Sequence, residues 1–179
     1  MKTIEVGSSW HAVTGHAKLP VDDIRKALFT LFSGFYASPH THKVAAERFS
    51  SELRELLGDT EETTLQEKMI FIAIRLRILD DYVQSKAHTP YLNDMATWVV
   101  GSLDDMKGTK TPLTLREACN KIIHAELFNW KRFATSRTDT QGLVPQVVLY
   151  GSHKKNKWRC RILIDQFVEC ACFQLSYNP

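Results

Sequence analysis

The stretch LTLREACNKIIHAELFNWKRFA, Leu113 to Ala134, decides the fold. Taken as one helix, it is the fifth of a bundle. Thr114 with Glu117 three residues on resembles a capping box, which starts the helix proper at Leu115. Leu115, Cys119, Ile122 and Ile123 give it apolar surface.

Upstream, apolar residues recur at helical spacing. A helix beginning near Val21 carries Ile24, Leu28, Leu31 and Phe35 on one face. Asp22 and Asp23 suit the positive end of its dipole, and Pro39 is expected to close it. A second helix is expected over about 42–57, with Val44, Phe49, Leu53, Leu56 and Leu57 inward and Gly58 as its C-cap. The third, about 62–86, repeats Leu65, Met69, Ile72, Leu76, Leu79 and Val83. Ile70, Phe71, Ile74, Ile78 and Tyr82 widen that stripe around the cylinder, the mark of a central helix. Arg75, Arg77, Asp80 and Asp81 interrupt it as an expected ion-pair set at the rim. A fourth helix is expected over about 90–107, opened by Pro90 and ended by Gly108. Ahead of all these, 1–6 reads as a short strand and 7–20 as a loop.

Downstream the chemistry changes. VVLYG and WRCRILI are rich in β-branched and aromatic residues, and GSHKKNK between them is turn-like. The pattern predicts a hairpin of 146–151 with 157–164. In its second strand Trp158, Cys160, Ile162 and Ile164 alternate with Arg159, Arg161 and Leu163, so one face is apolar and the other mostly basic. Asp165 caps an expected closing helix with Phe167, Val168, Ala171, Cys172 and Leu175 inward. The fold expected is therefore mainly α: about five helices in a bundle, with a C-terminal β-hairpin and a closing helix. It forms a single domain over 1–179, with the bundle at about 21–136 and the hairpin and closing element at about 143–176.

The chain of 179 residues carries 23 basic and 20 acidic side chains, a net charge of +3. That is too small for the whole surface to attract nucleic acid, but it leaves room for a local patch. No run approaches the roughly 18 apolar residues of a membrane span. The N-terminus lacks a secretory pattern, and neither Lys2 nor the closing SYNP fits a lipidation motif. A cytoplasmic protein without membrane contact is expected. Cys119, Cys160, Cys170 and Cys172 show no C-x-x-C spacing and read as small buried hydrophobes. His11 and His16, or His40 and His42, make poor metal pairs, and no nucleotide-binding or nucleophile-elbow motif occurs. No metal and no cofactor are expected.

Two groups of residues carry candidate chemistry. Arg116, Asn120 and His124 recur every four residues and share one helical stripe. His exchanges protons near neutral pH, Arg holds a phosphate, and Asn orients the imidazole. These are parts suited to RNA cleavage through attack by a 2′-hydroxyl. The second group is basic: Lys154, Lys155, Lys157 and Arg159 around Trp158, with His153 and Arg161 beside them. Cations bind phosphates and an aromatic face stacks on a base. The bland alternatives are structural polar residues on the helix, and a solvated turn with Trp158 in the core. Lys131, Arg132 and Arg137 form a third basic group after the helix.

The segment Asn120-Lys121-Ile122-Ile123-His124, followed by Ala125, resembles the signature helix of the HEPN superfamily, whose pattern is often R-N-x-x-x-H. Cys119 stands where that family has its Arg, and Arg116 is the nearest. The resemblance spans about 11 residues of the chain. It implies a helical bundle, a homodimer with two such helices facing each other, and metal-independent ribonuclease activity in a prokaryotic defence or toxin system. Ile123, Leu127 and Phe128 would supply the apolar part of that dimer contact. The expected partners are thus RNA and a second copy. The alternative is a non-enzymatic protein-interaction module with a protein partner and a structural His124.

Overall fold

Ile24, Leu28, Leu31 and Phe35 lie buried along one side of the first helix, as their spacing of three and four requires. The computed structural model describes residues 21–87, 98–104, 109–134, 141–153 and 156–176. In chain order it contains α1 (Val21–Arg48), α2 (Ser51–Ala87), β1 (Gly101–Asp104), β2 (Lys110–Leu113), α3 (Leu115–Ile123), β3 (Leu127–Ala134), β4 (Gln141–His153), β5 (Asn156–Leu163) and α4 (Ile164–Ser176). The strands form one antiparallel sheet in the order β2-β1-β5-β4-β3. Helices α1, α3 and α4 contact one face of it, and α2 packs across α1 and α3. The expected five-helix bundle is therefore corrected to four helices on a five-stranded sheet, among the described residues.

The deciding stretch is not one helix. Thr114 caps α3 as its spacing predicts, with its hydroxyl accepting the Glu117 N–H at 3.3 Å. The helix stops after nine residues. His124 turns out of helical geometry at φ −105°, ψ 14°. Glu126 N–H then donates to the Tyr150 carbonyl at 2.9 Å, and Leu127, Phe128, Asn129 and Trp130 pair with Tyr150, Leu149, Val148 and Val147. The apolar spacing at 127–133 fits a helix, but as a strand it satisfies the free edge of β4. It also places Trp130 against Phe35, ring centroids 5.8 Å apart, and against Phe128 at 5.9 Å. Tertiary pairing overrides local pattern here.

The same correction applies at 98–104. Val100 N–H donates to Leu113 O and Leu163 N–H to Val100 O, which draws Gly101–Asp104 into the sheet as β1 instead of ending a fourth helix. The rest of that expected helix, with Pro90 and Gly108, lies outside the described residues, as do 1–20. Pro39 and Gly58, expected as stops, both sit inside long helices. Phe49 is 49% and Leu56 60% exposed, so the expected inward face of the second helix is open at the α1–α2 turn. The hairpin forms as β4 and β5, with Gly151 opposite Trp158, and the closing segment forms α4 with Phe167, Ala171 and Leu175 buried. Cys172, expected inward, is exposed.

At Pro39 the helix layer meets the sheet closely. The neighbouring Ser38 hydroxyl is buried and accepts the Leu143 N–H of β4 at 2.9 Å. A Cβ on Gly142 would lie 2.8 Å from Pro39 Cα and 2.9 Å from the Phe133 ring. Gly142→Ala should therefore cost about 1–3 kcal/mol in denaturant unfolding, through overpacking against backbone. A change below about 0.5 kcal/mol would show that α1 does not seat there.

Candidate functional site

Asp80 on α2 is fully buried, and the rest of the helical site follows from it. Its carboxylate meets Arg77 at 3.3 Å and is in direct contact with Arg116, which also reaches Asp81 at 3.1 Å. Arg77 bridges back to Asp81 at 3.0 Å. Three members of the expected rim ion-pair set are thus joined by Arg116, while Arg75 lies over the Phe71 ring at 5.3 Å. A buried carboxylate needs such partners. Arg116 is taken up fastening α3 to α2.

Asn120 is half-buried on α3, and His124 is exposed at its C-cap. Among the described residues no hydrogen bond links the side chains of Arg116, Asn120 and His124. Arg116 and Asn120 lie one turn apart on α3 while His124 stands at the C-cap beyond its last helical residue, so the expected stripe is not joined into one group. Ile123 and Phe128 pack against the protein's own core, which leaves Leu127 as the exposed member of the expected dimer contact.

The basic group divides by strand geometry. Trp158, Cys160 and Ile162 of β5 point into the helix layer, while Lys157, Arg159 and Arg161 point away from it. Trp158 is corrected from a base-stacking surface to a core residue. Its ring lies under the Lys121 ammonium at 4.8 Å, and Gly151 opposite leaves room for it. Lys154 and Lys155 lie outside the described residues.

On the face turned away from the helices is a groove of about 330 Å³. Strand register builds it in two rows. One runs Tyr150, Arg159, Asp104 and Lys110 across β4, β5, β1 and β2. The next runs Asn129, Val148, Arg161 and Ser102 across β3, β4, β5 and β1. Lys131 and Gln146 extend it, and strand alternation sets Lys131 on this face and Arg132 on the other, where it binds Glu62 of α2 at 2.6 Å. Arg159 donates to Asp104 at 2.7 Å, and that bond and charge hold its guanidinium still more firmly protonated. The Gln146 Nε2 is buried without a hydrogen-bond partner among the described residues.

Lys131 was legible in the sequence as part of a basic group. Tyr150, Asn129, Gln146, Asp104 and Lys110 were not singled out. The signal for Tyr150 was the alternation within VVLYG, which sets Val148 and Tyr150 on the side opposite Val147 and Leu149.

Among the described residues no group of three His, Cys, Asp or Glu side chains is placed to hold a metal. Burial pushes the Cys119 and Cys160 thiols up to about 12 and Cys170 to about 11, so these thiols are packing groups and not nucleophiles. No described helix is long and apolar enough to cross a membrane. The chain matches no protein-family model, no curated protein and no solved structure.

The two helical candidates should separate in thermal and chemical unfolding. Arg116→Ala strands the buried Asp80 carboxylate with one partner fewer and should cost about 3 kcal/mol. His124→Ala, at an exposed position, should stay within about 0.5 kcal/mol. Equal small effects would mean that Arg116 does not fasten α3.

Proposed function

We propose that this chain binds RNA through the open face of its sheet, holding the phosphate backbone on the cations of the groove. One observation carries this. Lys110, Lys131, Arg159 and Arg161 line the groove with a single carboxylate, Asp104, among its lining residues, and Lys157 continues the same face of β5. Arg159 and Arg161, two residues apart on β5, lie about 6.8 Å apart, and Lys110 on β2 and Lys131 on β3 each stand two strands away, about 9.6 Å to either side. Such a lattice meets a polyanion at several points while the chain as a whole stays near neutral, at +3. The uncharged Ser102 and Asn129 stand among these cations and offer the donors and acceptors that a ribose 2′-hydroxyl can use. Binding is the reading; no cleavage step is assigned, because Arg116 is bound to Asp80 and Asp81.

Charge reversal tests this. Lys131 and Arg161 are exposed, so Lys131→Glu with Arg161→Glu leaves the core untouched. In fluorescence anisotropy with labelled RNA, affinity should fall by more than about tenfold at low salt. The log–log salt slope should shrink by about 1.4, which is about 0.7 for each single-strand phosphate that the variant no longer neutralises. Unchanged affinity and slope would remove the sheet face from consideration.

A further inference from the structure

The groove has a floor and a rim of different chemistry. Its rim is the exposed guanidinium and ammonium groups of Lys131, Arg159 and Arg161. Its floor is one strand, β4, where Gln146, Val148 and Tyr150 succeed one another on the same face, each half-buried. The rim suits phosphate. The floor carries no charge: it offers an aromatic ring, an isopropyl group and an amide. The amide donor, Gln146 Nε2, is buried and unpartnered among the described residues, although its residue lines the groove. A buried donor left without an acceptor is costly, and a ligand that brings an acceptor removes the cost.

We infer that the groove is built for single-stranded RNA, with one base laid on Tyr150 and Val148 and the Gln146 side chain turning outward so that its N–H meets an acceptor on the base edge. This rests on the phosphate-binding role proposed above and deepens it. A paired A-form helix offers phosphates and 2′-hydroxyls at its surface but keeps its bases stacked and paired, with a major groove too deep and narrow to read. It satisfies the rim and leaves the floor empty. An unstacked base satisfies both. The volume of about 330 Å³ stands at the small end of ligand sites, the scale of one nucleotide unit and not of a duplex side. Arg159, opposite Tyr150 in register, and Arg161, opposite Val148, lie beside that base position and take the flanking phosphates.

Anisotropy titrations separate the alternatives, using a labelled strand of about 12 nucleotides, alone and annealed to its complement at one salt concentration. The single strand should bind at least about tenfold tighter than the duplex. Tyr150→Leu, which keeps apolar bulk on the floor but removes the flat ring, should weaken single-strand binding about tenfold and leave duplex binding within about twofold. Tyr150→Phe should retain single-strand affinity and controls for folding. Gln146→Leu should weaken the single strand alone. Equal affinity for both RNAs, with Tyr150→Leu indifferent and Arg161→Glu weakening both, would overturn the single-strand inference and leave the phosphate reading standing. Indifference of both RNAs to Arg161→Glu would overturn the phosphate reading, and this inference with it.

Discussion

β5 is the middle strand of the sheet, and its alternation sets both sides of the protein at once. Trp158, Cys160 and Ile162 are buried beneath the helices, and Lys157, Arg159 and Arg161 are exposed on the other side. A slip of one residue would send three cations into the core and three apolar groups, Trp158 and Ile162 the largest, into water. Burying one such apolar side chain is worth about 1.5–3 kcal/mol, so the register is fixed by the core and the polar face inherits it. The arrangement of the candidate site is a consequence of packing on its reverse.

The helix layer has its own fixed point. Asp80 has no exposed surface, and its pairing with Arg77 and Arg116 ties the short α3 to the long α2. Helix α3 joins β2 at one edge of the sheet to β3 at the other. Holding α3 in place therefore holds the path of the chain between the two edge strands. The ion pairs explain an Arg on the polar stripe of α3 without any ligand. The Arg116 guanidinium is committed to that junction between α2 and α3.

Much of this was legible in the chain, and the failures share a cause. The buried stripes Ile24 to Phe35 of α1 and Leu65 to Leu79 of α2, the Thr114 cap, the β4–β5 hairpin and the closing helix follow from local periodicity and turn chemistry, whereas Ile74 and Ile78, expected to widen the α2 stripe, are exposed. What local pattern missed was strand pairing between distant segments. Leu127 to Ala134 has apolar spacing compatible with a helix, and only the edge of β4 makes it a strand. Gly101 to Asp104 becomes a strand because β2 and β5 flank it. Pro39 and Gly58 are breakers in isolation, yet the helices run through them. The basic side of β5 was readable as Arg159 and Arg161 alternating with apolar residues. Its counterparts Tyr150, Gln146, Asn129 and Asp104 come from three other strands, so no spacing within one segment announces them. Trp158 shows the reverse error: its basic neighbours drew attention to it, while its parity with Cys160 and Ile162 placed it in the core.

Lysine-reactivity footprinting tests the central claim, that the sheet face and not the helical surface meets RNA. The chain is acetylated with and without RNA, and each lysine is quantified by mass spectrometry. Lys110, Lys131 and Lys157 stand on the sheet face, and Lys26 and Lys43 are exposed on α1. The account predicts protection of the first three and unchanged labelling of the other two. Protection of Lys26 and Lys43 with the sheet lysines unchanged would contradict it.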